Sequence, residues 1–328
     1  MAEQLITLEQ VTRSFLVKGQ TVKAVDGINL TIAAGDVLCL VGESGCGKTT
    51  TGKMIAGLLP TSSGHVLYRG QDIATLSGQD RQDYRLGVQM VHQDPYASLN
   101  PTQTIYDMLA APLQHHRFTR GEAETKRRVR NLLEIVDLTP PDDFLDKYPH
   151  QLSGGQRQRV SVARALTVKP TFIVADEAVS MVDVSIRISL LNMFTRLTEE
   201  MGVGVLFITH DLALAKYFAW EGHIGVMYLG RLVEIGPARE VVEHAQHPYT
   251  QVLLSAIPEA DPEATRAKQR IELRSTDMPS LLRLPSGCTF HPRCPVFLGE
   301  VCEQIVPPLE RASWGSDVAC HLVNAHES

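Results

Sequence analysis

The stretch Gly42-Glu43-Ser44-Gly45-Cys46-Gly47-Lys48-Thr49 constrains this chain more than any other. It satisfies G-x-x-x-x-G-K-[ST], follows an unbroken apolar run at 37–41 and precedes a helix-forming stretch at 50–59. Glycines let a loop turn until its backbone N–H groups converge on an anion, and the helix start adds the positive end of its dipole. Lys48 supplies charge for the β- and γ-phosphates of ATP, and Thr49 places a hydroxyl where it can enter the oxygen shell of Mg²⁺, with Thr50 directly behind it. Cys46 sits at the same helix start and near Lys48, two features that lower a thiol's pKa, so a redox role stands beside the plainer reading of a small residue at a tolerant position. A thiol alkylator is expected to inactivate the protein, and bound ATP to protect it.

The surrounding pattern is that of an α/β protein. The run at 37–41 reads as a strand buried on both faces of a parallel sheet, and similar runs recur at 172–175 and 205–208. Between them, Val129, Leu132, Leu133 and Val136 fall on one face of a helix whose basic residues at 126–130 form a solvated face. Nearer the start, Ile28, Leu30 and Ile32 alternate with Asn29 and Thr31, the period of a half-buried antiparallel strand. With 328 residues, 44% of them hydrophobic and 21% charged, the chain can bury about two domains. A net charge of −6 supplies no global positive field for nucleic acid. No apolar run approaches the roughly 18 residues of a bilayer-spanning helix. The first nine residues lack a basic start and a long apolar run, so a secretory signal is not expected.

A second apolar run, 172–175, leads into Asp176-Glu177. The C-terminal edge of such a strand is the ligand crevice of an open α/β sheet. There one carboxylate can serve the Mg²⁺ shell and the other can polarise water. Upstream, Leu152-Ser153-Gly154-Gly155-Gln156 precedes helix formers at 157–166, with Ser153 placed to cap. This LSGGQ element, about twenty residues before Asp176, resembles the signature of ATP-binding cassette (ABC) proteins. The resemblance covers residues 5–235 and extends to Gln93 in Val91-His92-Gln93-Asp94, which matches the Q-loop, and to His210 in Ile208-Thr209-His210-Asp211, which matches the switch histidine. Phe15 matches the aromatic position that stacks on adenine.

The resemblance implies a P-loop ABC-type nucleotide-binding domain over residues 1–235, with an antiparallel β subdomain, a parallel-sheet core and a helical subdomain at about 95–165. By that resemblance Glu177 and His210 are catalytic; Phe15, residues 42–50 and Gln93 bind nucleotide; and Mg²⁺ is served by Thr49, Gln93 and Asp176. Ser153, Gly154, Gly155, Gln156 and Asp183 would meet ATP held by a second ATPase subunit in a head-to-tail dimer, homomeric or heteromeric. Relatives usually read DEPTSALD where this chain reads Asp176-Glu177-Ala178-Val179-Ser180-Met181-Val182-Asp183, so the missing proline at 178 is expected to loosen the backbone after Glu177.

Beyond residue 235 lie a helix at 247–257, a polar connector at 259–275 and a Pro- and Cys-rich module at 276–328. Cys288, Cys294, Cys302 and Cys320 are separated by 5, 7 and 17 residues, unlike the paired spacing of zinc ribbons. Spacing alone leaves a bound metal, free thiols and a redox switch open. The segment Gly287-Cys288-Thr289-Phe290-His291-Pro292-Arg293-Cys294-Pro295, with His247-Pro248-Tyr249-Thr250 before it, resembles the C-terminal extension of oligopeptide and dipeptide importer ATPases. In that family four such cysteines can hold a [4Fe-4S] cluster. The same resemblance implies an ATPase, peripheral on the cytoplasmic face of a bacterial inner membrane, that powers two permease subunits served by an extracytoplasmic solute-binding protein. Peptide is the implied cargo; an oligosaccharide, an opine and nickel are alternatives within the group, and a soluble ABC protein of translation or DNA repair is the alternative outside transport.

Overall fold

A computed structural model describes residues 3–257 and 271–324 of the chain. Two sheets organise it. The first is antiparallel, ordered β2-β1-β4-β5, from β1 (Gln4–Val17), β2 (Gln20–Ala33), β4 (Ser63–Tyr68) and β5 (Gln71–Asp72). Its alternation is the one the sequence carries: Ile28, Leu30 and Ile32 are buried, whereas Asn29 and Thr31 are exposed.

The second sheet is built around four parallel strands, β3 (Val37–Val41), β6 (Val88–Val91), β7 (Phe172–Asp176) and β8 (Gly204–Thr209), in the order β3-β8-β7-β6. Side chains of a strand alternate between faces, and in β3, β7 and β8 both faces are covered, which is why those runs are almost wholly apolar. Leu38, Leu40, Phe172, Val174, Leu206 and Ile208 share one core with the antiparallel sheet and with Met54 and Ile55 of α1 (Lys48–Ile55). Cys39, Val41, Ile173, Ala175, Val205 and Phe207 point the other way, into the helical core. Each fully buried Leu, Ile, Val or Phe contributes roughly 1.5–3 kcal/mol.

After α2 (Gly78–Gly87), five helices intervene between β6 and β7: α3 (Pro95–Ser98), α4 (Ile105–His115), α5 (Glu122–Ile135), α6 (Asp142–Leu145) and α7 (Gly154–Leu166). Helix α5 buries Val129, Leu132 and Leu133, as its periodicity requires. Two further helices follow β7 and β8, namely α8 (Val184–Met201), which Gly202 ends at φ +65°, and α9 (Leu212–Phe218).

The remaining elements extend the same sheet. Strand β9 (His223–Tyr228) runs parallel to β3, and β10 (Arg231–Pro237) returns antiparallel to it. After α10 (Ala238–Glu243) and α11 (Pro248–Ser255), the chain comes back as β11 (Glu310–Arg311) and β12 (Asp317–Val318), and β12 pairs with β10 through Glu234–Val318 and Ile235–Asp317. Most of the polar connector at 259–275 lies outside the described residues. Among the described residues no helix is long and apolar enough to cross a membrane.

Candidate functional site

The glycine-rich loop joins β3 to α1 at the C-terminal edge of the parallel strands. Two of its glycines are dictated by contact as well as by conformation. Gly42 has φ +149° and Gly47 φ +110°, and a Cβ at either would lie 2.2 Å from the Met227 carbonyl oxygen or 2.3 Å from that of Ala24. The Cys46 carbonyl accepts from Gly230 N–H at 2.8 Å, tying the loop to the β9–β10 turn. Lys48 is buried and curls over the loop, its Nζ donating to the carbonyls of Gly42 (2.7 Å) and Glu43 (3.0 Å). Two backbone carbonyl dipoles thus hold the ammonium over the loop.

Cys46 departs from expectation. Its side chain is fully buried, and burial raises its pKa; the nearby Lys48 charge opposes this without reversing it. The helix start and the lysine are both present, but desolvation of a thiolate outweighs them. Burial therefore favours the plainer reading of Cys46 as a small residue that fills space beneath the loop, and the two features that would lower its pKa do not prevail.

Across from the loop, β7 delivers Asp176 and Glu177. Thr49 Oγ1 donates to Asp176 Oδ1 at 2.8 Å, so the two oxygens suited to Mg²⁺ already adjoin. Burial raises the Asp176 pKa, with the Thr49 hydrogen bond acting against it and the Glu177 charge adding to it. A divalent cation would hold that carboxylate ionised. Glu177 lies between two partners from separate loops: its Oε2 accepts from Gln93 Nε2 at 2.8 Å, and its Oε1 is 3.3 Å from His210 Nδ1. Gln93 follows β6 and His210 follows β8, so three strand ends bring these side chains together. The His210 side chain is 53% exposed, open to a ligand, whereas that of Glu177 is 15% exposed.

Glu177 itself has φ +46°, a left-handed conformation uncommon for a residue with a Cβ. Backbone bonds hold it there: Glu177 N–H donates to the Ile208 carbonyl at 2.9 Å, and its own carbonyl accepts from Ser180 N–H (3.0 Å) and Ser180 Oγ (2.9 Å). Ala178 and Val179 are buried. The turn after Glu177 is thus held by Ser180 and by packing, although no proline stands at 178.

The Ser153 element sits elsewhere on the chain. Ser153 caps α7, its Oγ accepting from Gln156 N–H at 3.3 Å while Gln156 Oε1 accepts from Ser153 N–H at 2.9 Å. Gly155 is required by close packing, because a Cβ there would meet Ile186 Cγ2 at 2.6 Å. Asp183, exposed, precedes α8 beside Met181 and Val184, two apolar side chains that also face outward. Phe15 lies opposite Val22 in the β1–β2 pair, partly exposed, with the Arg13 guanidinium 4.8 Å from its ring centre.

The four C-terminal cysteines form a neighbourhood. Cys294 and Cys302 are buried and the other two are half-buried. Burial, with a smaller contribution from the charges of Cys302 and Cys320, pushes the Cys288 thiol up to about 11 and that of Cys294 up to about 12. Among the described residues, no three His, Cys, Asp or Glu side chains gather tightly enough to hold a single metal ion. Two residues of this C-terminal region reach the loop at 42–49, contrary to any expectation from its sequence: Arg293 pairs with Glu43 and Tyr249 bonds its backbone. No local pattern announces them, because the contact spans more than 200 positions of chain.

Comparison with known proteins matches this geometry. The ABC transporter family profile matches residues 25–180, and the profile described as the oligopeptide/dipeptide transporter C-terminal region matches residues 233–302. YkfD of Bacillus subtilis, an ATP-binding protein named for oligopeptide transport, is 43% identical over 95% of this chain and 93% of its own length. The chain belongs to the ABC transporter ATPases, in their oligopeptide/dipeptide branch. The oligopeptide transport ATP-binding protein AppF of the same organism is 42% identical over 92% of this chain and 90% of its own length. Among solved structures, the ATP-binding cassette MJ0796, dimeric in a post-hydrolysis state bound to ADP and Pi, superposes with a TM-score of 0.65 at 27% identity, covering 72% of this chain and 99% of that one. Part of a Clostridium perfringens ABC transporter complex, cbiO1, gives 0.64 at 26% identity, covering 74% of this chain and 92% of that one. As an ABC ATPase the chain uses ATP and Mg²⁺.

Proposed function

We propose that this ATPase powers peptide import through a pair of membrane permease subunits, from the cytoplasmic face of the bacterial inner membrane, with an extracytoplasmic binding protein delivering the cargo. The observation that carries the catalytic reading is Glu177 set between Gln93 and His210 and adjoining the Thr49–Asp176 pair. The relatives' names support peptide as cargo.

In this reading the loop at 42–50 cradles the phosphates, Lys48 neutralises the β- and γ-phosphates, and Phe15 stacks on the adenine. Thr49, Asp176 and Gln93 serve Mg²⁺, which offsets charge on the phosphates. Glu177 accepts a proton from the attacking water as the water's oxygen bonds to the γ-phosphorus, and ADP leaves. His210, with its exposed ring, steadies the γ-phosphate and that water. Phosphoryl transfer is helped chiefly by positioning and charge, which is what these side chains offer. Ser153, Gly154, Gly155, Gln156 and Asp183 complete the site of a second ATPase subunit, a reading supported by the exposure of Ser153 and Asp183, which leaves both available to a mate. ATP then holds two subunits together, and hydrolysis releases them.

We read Cys288, Cys294, Cys302 and Cys320 as candidate ligands of a [4Fe-4S] cluster, because four thiols of one small C-terminal module match the four thiolates such a cluster takes. Anaerobically purified protein should be brown and contain iron and sulfide; a colourless, iron-free sample would remove the cluster. For transport, labelled peptide uptake should be lost in a strain carrying Lys48→Ala in place of the wild-type chain and should return with the wild type. Unchanged uptake would refute the assignment.

A further inference from the structure

The nucleotide loop is gripped by side chains that arrive from the C-terminal region. Arg293, whose side chain is only 7% exposed, donates from Nη1 to Glu43 Oε2 at 2.9 Å and from Nη2 to Glu43 Oε1 at 3.0 Å. Its Nη1 also lies 3.3 Å from the Tyr228 hydroxyl at the end of β9. Tyr249 Oη accepts from the Glu43 backbone N–H at 3.0 Å. The Tyr249 ring is locked among Tyr228 and Phe290, with centroid separations of 4.7 and 5.3 Å.

The support behind these two residues is equally specific. Helix α11, which carries Tyr249, starts at His247, whose Nδ1 accepts from Tyr249 N–H at 3.0 Å. The buried Glu234 carboxylate of β10 accepts from the N–H groups of Gln246 and His247, each at 3.0 Å. Arg293 lies in the short segment between Cys288 and Cys294, and its own carbonyl accepts from Arg274 N–H at 3.1 Å. Both the side chain and the backbone of Glu43 are therefore fixed from outside the loop. None of these contacts uses the backbone N–H of Gly45, Gly47 or Lys48, the groups a phosphate would need.

Resting on the ATPase reading above, we infer that Arg293 and Tyr249 are positioning residues that hold the phosphate-binding loop in its binding shape and thereby set its affinity for ATP. The route is short: Arg293 fixes Glu43, and the Glu43 carbonyl is one of the two that hold Lys48 Nζ. A forked guanidinium–carboxylate pair fixes orientation as well as distance, which a lysine cannot reproduce. Pre-ordering a loop lowers the cost of binding in ground state and transition state alike, so its loss falls on KM and Kd rather than on kcat.

The test is Mg-ATP binding and steady-state hydrolysis by the full chain carrying Arg293→Ala, Arg293→Lys, Glu43→Gln, Tyr249→Phe and the Arg293→Ala/Glu43→Gln pair. Arg293→Ala should raise Kd and KM about tenfold, with kcat within about twofold of wild type, and Glu43→Gln should raise Kd and KM by a similar factor. The double variant should be no weaker than either single one, because both remove the same contact. Arg293→Lys should fall between, and Tyr249→Phe should show a smaller loss. A purely structural role would lower the melting temperature while leaving the ATP affinity of the folded protein unchanged, and that result overturns the inference. Glu43→Gln and Tyr249→Phe preserve volume and decide the matter if Arg293→Ala does not fold. A wild-type chain that binds no ATP overturns the ATPase reading and this inference with it.

Discussion

Replacing Glu177 by Gln isolates the proton-accepting role, because little else in the site should move. Glutamine keeps the shape, and its carbonyl oxygen can still accept from Gln93 Nε2, now at 2.8 Å from Glu177 Oε2. Its amide can donate to His210 Nδ1, now 3.3 Å from Glu177 Oε1. The left-handed backbone at φ +46° is held by Ile208 and Ser180, not by the carboxylate. What disappears is the charge and the ability to take a proton from water. General-base catalysis is worth about 10²–10⁴ in rate, or about 3–5 kcal/mol of barrier. Phosphate release at saturating Mg-ATP should therefore fall by two to four orders of magnitude while ATP affinity, measured by calorimetry, stays within about threefold. Turnover near the wild-type rate with binding intact would show that another group accepts the proton.

Gly47→Ala should abolish measurable ATP binding and lower stability by at least about 2 kcal/mol, since φ +110° and a Cβ 2.3 Å from the Ala24 carbonyl cannot both be relieved; calorimetry and thermal melting read both effects. Ser153→Arg should leave ATP binding by its own loop intact and cut hydrolysis by about two orders of magnitude. Mixing it with Lys48→Ala chains should then restore hydrolysis at one composite site, and failure of the mixture would argue against a site shared between subunits. His247 is fully buried, and burial holds its pKa down at about 3 against an ordinary 6.5. Below about pH 6.5 the unfolded chain binds the proton and the folded chain does not, so stability is full above that pH and declines by up to about 1.4 kcal/mol per pH unit towards pH 3. Denaturant melts of wild type and His247→Gln should show a shallower acid slope for the variant, and parallel slopes would refute the assignment.

The features legible in the sequence are those that short range decides. The loop at 42–49 needs only a buried strand before it and a helix after it, and both are local. The Ser153–Gln156 capping box spans four residues, and the buried face of α5 repeats within one helix. The joining of β12 to β10 was hidden because two-residue strands carry no period and their partner lies some eighty positions away. Cys46 shows the same limit from the side of electrostatics: Lys48 and a helix start are visible as neighbours, whereas burial beneath the loop, which decides the sign, is a property of the fold. The grip of Arg293 and Tyr249 on Glu43 belongs to this class as well.

Sedimentation of the Glu177→Gln chain with and without Mg-ATP tests the shared nucleotide site most directly. Monomers should pair when Mg-ATP is added and separate when the nucleotide is removed, with Ser153→Arg preventing the pairing. Chains that bind Mg-ATP yet sediment as monomers at every concentration would contradict a site completed by a second subunit.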